Sequence, residues 1–283
     1  MEFNGEIIRS RQNRHVVELC KLSDRKVREA SRLFRFDGIK LFSEAVMSGV
    51  EIETVALKES EADRLTAMLC ERHKTTVFDS VGRVLVLSDD LFDKISEEKS
   101  PEGIITIAKY IDKFKKNATI YNSVDFSEME NERIVLLESV RDPSNIGAII
   151  RSAAAIGVDR LIISADCADI YNPRAVRASM GTLFNQRIDR VTDLVGTIQG
   201  LRQVGRRVFA AALDKQAKPL GSFSIERGDC VVIGNEGHGL SPETVAACSH
   251  SVIIPMTARA ESFNAAVAAS ILMWEFAGRG AKT

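Results

Sequence analysis

Polar side chains gather in three short segments of the second half of this chain, in fixed order. Asn145-Ile-Gly-Ala-Ile-Ile-Arg151 pairs an amide with a guanidinium. Ile233-Gly-Asn-Glu-Gly-His-Gly-Leu240 sets the carboxylate of Glu236 among Gly234, Gly237 and Gly239. Ile254-Pro-Met-Thr-Ala-Arg-Ala-Glu-Ser-Phe-Asn264 ends on a hydroxyl and an amide, Ser262 and Asn264, near a helix start. An arginine beside a ligand loop grips phosphate through two parallel N–H bonds. Glycines let backbone approach a ligand closely and take positive φ. The chemistry that fits is a ligand pocket next to a phosphate-bearing partner.

Each segment also has a plainer explanation when taken singly. Arg151 fits a surface salt bridge as well as a phosphate grip. The glycine loop fits an ordinary strand–helix turn, with Ser241-Pro242-Glu243 opening the next helix. Ala265, Ala266, Ala268, Ala269 and Ser270 fit close helix packing whatever the function. The glycines run GxxGxG late in the chain, whereas a dinucleotide fingerprint runs GxGxxG after the first strand. That order disfavours a nicotinamide-dependent enzyme.

The elements that must position these residues are strands and helices in alternation. Ile134–Glu138 reads as a strand, and Ser144 caps a helix from about Asn145 to Ile156 that Gly157 stops. Leu161–Ser164, Arg207–Leu213, Cys230–Gly234 and Ser251–Ile254 read as further strands, and Glu261–Phe276 as the last helix. Strands separated by helices favour a parallel sheet, and such sheets bind ligands at the carboxyl ends of their strands. All three segments begin there, which is the main argument that they form one site. The first 112 residues read as a small α/β domain. In it Ser23 caps a helix over Asp24–Arg32, Leu33–Asp37, Ile52–Leu57, Thr75–Asp79 and Ile104–Tyr110 are strands, and Gly38 opens a helix through Met47. Residues 113–132 are polar and without clear period, and read as a linker. The second domain is 133–283.

Composition narrows the class. The chain has 283 residues, 45% hydrophobic and 27% charged, as expected of globular material with two cores. No apolar run reaches the ~18 residues of a membrane span, and the start lacks a signal-like apolar stretch, which favours the cytoplasm. Five scattered cysteines and four histidines, among them His238 inside the glycine loop, show no ligand spacing, so no metal is expected. Net charge is −1, but residues 9–35 hold nine basic side chains against three acidic ones. Arg9, Arg11, Arg14, Lys21, Arg25, Lys26 and Arg28 lie in this run and are candidate RNA contacts, with a solvated helical face as the alternative.

The three ordered segments, over about residues 133–279, resemble the SpoU (TrmH-type) branch of the SPOUT RNA methyltransferases. Ser10-Arg-Gln-Asn13, Lys21-Leu-Ser-Asp-Arg-Lys26 and Phe36-Asp-Gly-Ile-Lys40 resemble that family's substrate-binding domain. The resemblance implies a parallel α/β domain with a deep trefoil knot, a bent S-adenosylmethionine held in it, a homodimer, and methyl transfer to a ribose 2′-hydroxyl. The substrate it implies is RNA, with rRNA favoured over tRNA by the two-domain layout and the basic front segment. A non-catalytic RNA-binding protein of the same fold is the reading from another class. By the resemblance, Asn145, Arg151, Glu236, Ser262 and Asn264 form the polar active-site set. Backbone at Gly234, Ile254 and Phe263 holds the adenosyl part, with Ile233, Glu236, Gly237, Leu240, Met256 and Asn264 around the donor. Ala258 stands where the family often has glycine, and Phe263 where leucine is usual. The family's proposed base is the arginine, here Arg151. A guanidinium stays protonated under nearly all conditions, so oxyanion stabilisation is the role its chemistry supports.

Overall fold

The computed structural model describes residues 6–111, 120–121, 126, 129, 132–214, 216–257, 259 and 262–277. Ala258, Glu261 and most of the 113–132 segment fall outside them. In chain order the elements are α1 (Arg14–Lys21), α2 (Arg25–Ser31), β1 (Leu33–Asp37), α3 (Ile39–Met47), β2 (Ile52–Lys58), α4 (Ala62–His73), β3 (Arg83–Leu87), α5 (Asp89–Ile95) and β4 (Ile104–Lys109). There follow β5 (Ile120–Tyr121), β6 (Ile134–Leu137), α6 (Pro143–Ile156), β7 (Arg160–Ser164), α7 (Pro173–Ser179), β8 (Arg187–Val191) and α8 (Leu194–Gln203). Then come β9 (Val208–Ala211), β10 (Lys218–Pro219), β11 (Cys230–Ile233), α9 (Pro242–Ala247), β12 (His250–Ile253) and α10 (Ala265–Phe276).

Two compact units form. The first takes residues 1–111 together with Tyr171–Asn185, and the second takes 112–170 and 186–283. The returning segment carries α7, and its aromatic rings explain where it goes. Tyr171 stacks on Tyr110 at 3.9 Å between centroids, and Phe184 lies 5.5 Å from Phe36.

The first unit is a mixed sheet in the order β1-β4-β2-β3, antiparallel except for β2 against β3. The Thr75–Asp79 stretch is a turn rather than a strand. Val77 and Phe78 are both buried, and Phe78 stacks on Phe42. A strand would point these neighbours to opposite faces, so a tight 3₁₀ turn serves instead. The cap of α2 is Asp24, whose carboxylate accepts from Lys26 N at 2.7 Å, while the Ser23 hydroxyl donates to Glu97.

The second unit is an eight-stranded parallel sheet in the order β10-β12-β9-β11-β6-β7-β8-β5. Every residue of β6, β7 and β11 is buried, as expected where helices cover both faces. α8 and α9 supply one core with Leu136, Ile162, Val208 and Val232, while α10 packs on α6 and β11. The small residues foreseen on α10 allow the approach to α6, where the Ser270 hydroxyl donates to that of Ser152 at 2.9 Å.

Helix starts differ from the sequence reading in two places that matter for the site. α6 begins two residues earlier than expected, because Asp142 and not Ser144 caps it. The Asp142 carboxylate accepts from Ser144 N and Asn145 N, and Pro143 follows in the first turn. Gly157 ends it at φ +88°, as expected. α10 starts at Ala265, not at residue 261, because the Asn264 side chain takes the free N–H groups of Ala266 and Val267. No helix among the described residues is long and apolar enough to cross a membrane.

Candidate active site

A cavity of about 860 Å³ opens at the carboxyl ends of β9, β11 and β12. That is within the ~300–1,000 Å³ that encloses a cofactor-sized ligand. Three chain segments wall it. Residues 211–214 leave β9, residues 233–240 leave β11, and Val252–Ile254 with Met256, Ser262 and Phe263 follow β12. Ala265, Ala268 and Leu272 of α10 close the base. Of the residues the sequence marked, Ile233, Gly234, Glu236, Gly237, Leu240, Ile254, Met256, Ser262 and Phe263 all line this space.

The glycine loop is folded back on itself. Asn235 and Gly239 exchange backbone hydrogen bonds at 3.0 Å each way. A side chain at Gly234 would put its Cβ 2.4 Å from the carbonyl carbon of Gly239, so this position admits only hydrogen. Gly239 takes φ +69°, a left-handed value that glycine adopts without strain. The Asn235 side chain accepts from Gly237 N and His238 N and donates to the Ser139 carbonyl at 2.8 Å. His238 is exposed, and its backbone N–H donates to the Asn235 side chain.

At the mouth the three segments meet. The Asn145 Nδ2 donates to Glu236 Oε1 at 2.8 Å, and Asn264 Nδ2 donates to Asn145 Oδ1 at 3.0 Å. One amide thus joins the first turn of α6, the glycine loop and the cap of α10. Asn145 and Asn264 sit beside the cavity and not in its wall. Arg151 is not drawn into this network. It lies exposed two turns along α6, with no hydrogen bond to any described residue, and so is able to meet an external anion.

Several residues of the site carried no signal in the three segments. Leu213 and Asp214 form a third wall, discoverable only from the rule that ligands lie beyond strand ends. Leu213 was read as the end of a strand over Arg207–Leu213, but β9 stops at Ala211, and Asp214 was not marked. The polar group beneath the loop, Glu138, Ser139, Ser241 and Thr244, was likewise unmarked. Beside it, burial alone would push the Asp166 carboxyl up, but hydrogen bonds from Ser139 and Ser164 and the Arg141 contact outweigh it and hold it below its ordinary range.

The basic segment of the first unit divides. Arg9, Arg11, Arg14, Lys21, Arg25 and Lys26 are exposed. Arg28 is not a surface contact: it is 1% exposed, and its guanidinium donates to the carbonyls of Leu22 and Ser23 at 2.7 and 2.9 Å. It closes the turn between α1 and α2, so the guanidinium is spent on the backbone. Arg35 from the same run is also buried, paired with Asp37. Among the described residues no cluster of His, Cys, Asp or Glu has the makings of a metal site.

A fully parallel sheet with a cofactor-sized cavity at its strand ends, and a carboxylate–amide–amide mouth, defines an α/β protein with a ligand site at the carboxyl edge of its sheet. The family model of the SpoU rRNA methylases matches residues 132–274, and that of the MRM3-like substrate binding domain matches residues 13–106. The chain belongs to the SpoU rRNA methylase family. Among its relatives is the 23S rRNA (guanosine(2553)-2′-O)-methyltransferase RlmP of Bacillus subtilis, 26% identical over 96% of this chain and 99% of that protein. The AdoMet-bound rRNA methyltransferase from Sinorhizobium meliloti superposes with a TM-score of 0.77 at 25% identity, covering 98% of this chain and 99% of that one. The SpoU methyltransferase AviRb from Streptomyces viridochromogenes, also solved with AdoMet, superposes with a TM-score of 0.76 at 26% identity, covering 95% and 98%.

Proposed function

We propose that this protein transfers the methyl group of S-adenosylmethionine to a ribose 2′-hydroxyl of rRNA. The observation that carries this reading is the Asn145–Glu236–Asn264 network at the mouth of the cavity walled by the glycine loop. The residues present fit the donor. The close approach of backbone at Gly234 and Gly239 shapes the loop that walls the cavity, and Leu240, Ile254, Met256 and Phe263 give an apolar wall for an adenine ring. When bound, the donor supplies a sulfonium-activated methyl group. The chain's own residues do the rest. The fixed carboxylate of Glu236 and the amide of Asn145 orient polar groups at the mouth, and this positioning of nucleophile and methyl in line lowers the barrier. Arg151 holds the RNA phosphate or the hydroxyl and stabilises charge on the oxygen as its proton passes to water.

The exposed cations of residues 9–26 bind RNA phosphates, and the first unit presents the substrate. The protein acts as a homodimer in the cytoplasm. α10 supports the dimer: Val267 and Trp274, seven residues apart on one face, are 47% and 59% exposed. The trefoil knot belongs to the same proposal, supported by the return of α10 onto α6 and β11 after the last strand.

Purified protein is incubated with labelled S-adenosylmethionine and, side by side, rRNA and tRNA from cells lacking it. Label in rRNA that protects one dinucleotide from alkali is the expected result. Label in tRNA alone, or in a base, would overturn it.

A further inference from the structure

Both ends of the glycine loop are tied to two consecutive residues that follow β6. At its start, Asn235 Nδ2 donates to the Ser139 carbonyl at 2.8 Å. At its end, the Glu138 carboxylate accepts three hydrogen bonds: from Ser241 N at 2.9 Å and the Ser241 hydroxyl at 2.8 Å, and from the Thr244 hydroxyl at 2.6 Å. Thr244 is fully buried, and the Ser241 hydroxyl also caps α9 by accepting from Thr244 N. Glu138 N itself bonds the Ile233 carbonyl, the last residue before the loop. Ser139 holds φ +54°, a left-handed value uncommon outside glycine, with its amide donating to Ser164 and its hydroxyl to Asp166. A strained backbone fixed by so many partners points to a geometry that must be kept.

From this arrangement we infer that Glu138 is a positioning residue that fixes residues 234–240 in the donor-binding shape. Three donors on one carboxylate tie the end of β6 to the end of the loop. A glutamine can keep these contacts, its oxygen accepting from Ser241 N and its N–H₂ donating to the two hydroxyl oxygens, whereas an alanine removes all three. The inference rests on reading the cavity as the donor site.

The test uses the full chain and measures S-adenosylmethionine binding by calorimetry, with thermal melting in parallel. The variants are Glu138→Ala and Thr244→Val, with Ile198→Val, a buried position on α8, as a stability control. Glu138→Ala is expected to weaken Kd ~10–100-fold with the full number of sites, from the loss of hydrogen bonds to a charged acceptor. Thr244→Val, which removes one bond, is expected to weaken it less, and Ile198→Val not at all. A structural role alone would lower the melting temperature or the number of active sites at unchanged Kd, and that result overturns the inference. If Glu138→Ala does not fold, an unchanged Kd in Thr244→Val overturns it equally. Wild-type protein that fails to bind the donor would overturn the reading of the cavity itself, and the inference with it.

Discussion

A single amide, Asn145, holds three distant parts of the chain together, and its position depends on a carboxylate three residues earlier. Asp142 caps α6 and so turns Asn145 toward Glu236 and Asn264. Arg151 stands apart from this network, so its loss is expected to leave the cavity intact. In Arg151→Ala, methyl transfer should fall by at least ~10²-fold while donor affinity stays within about twofold of wild type, as for removal of a preorganised charge-stabilising donor. Transfer at the wild-type rate would remove Arg151 from the mechanism. Gly234→Ala is the converse case. Its Cβ would meet the Gly239 backbone, so the loop must shift, and donor affinity should drop by about 10–100-fold on the scale of overpacking costs. Calorimetry separates the two. Arg28 and Arg25, neighbours in sequence, have opposite roles. Arg28→Ala removes a buried guanidinium from two carbonyls and should lower the melting temperature of the first unit. Arg25→Ala should leave melting unchanged but reduce by about one the slope of RNA affinity against log salt.

At the level of elements, the short connection from β6 to α6 carries most of the design. Residues 138–145 clamp the glycine loop, cap α6 and present Asn145. Their partner on the next strand end is Asp166, whose carboxyl is held below its ordinary range. Such a group stabilises the folded state above the unfolded carboxylate value of about 3.9, and the contribution is lost as pH falls below that. Melting of the second unit should therefore be steady from pH 7 to about 5 and fall below pH 4. Asp166→Asn should melt lower at pH 7 and show a flatter decline in acid. An equal slope in both proteins would assign the acid sensitivity elsewhere, for example to Asp159, also held low, where bonds from Arg133 outweigh burial.

For the whole molecule, the proposed dimer rests on the exposed apolar face of α10. Trp274→Asp should convert a dimer to a monomer at micromolar concentration, read by light scattering after gel filtration, with melting of the second unit little changed. A wild-type monomer, or a variant that stays dimeric, would place assembly on another face. The chain's organisation into units is also a whole-molecule property. Tyr171–Asn185 is interrupted in sequence from the first unit by some sixty residues, yet packs with it through Tyr171 and Phe184. Contiguous boundaries at 112 and 133 do not describe that.

Strand–helix alternation, the parallel sheet and nine of the residues lining the cavity at its carboxyl ends were legible in sequence. These depend on local pattern: runs such as Ile134–Leu137 and Cys230–Ile233 that must be buried, and glycines such as Gly234 where backbone meets backbone. Three kinds of feature depended on tertiary structure. Whether a cation faces water was one, because Arg28 and Arg25 have the same charge and differ only in what lies around them. Caps were another, since Ser144 and Asp142 both suit the position and the geometry of the preceding strand end selects between them. The third was the support beneath the loop. Glu138 and Thr244 are 106 residues apart, and no local pattern relates them. Only the pairing of β6 beside β11 brings that carboxylate under the loop, because hydrogen bonding between strands acts across space with no regard to distance along the chain.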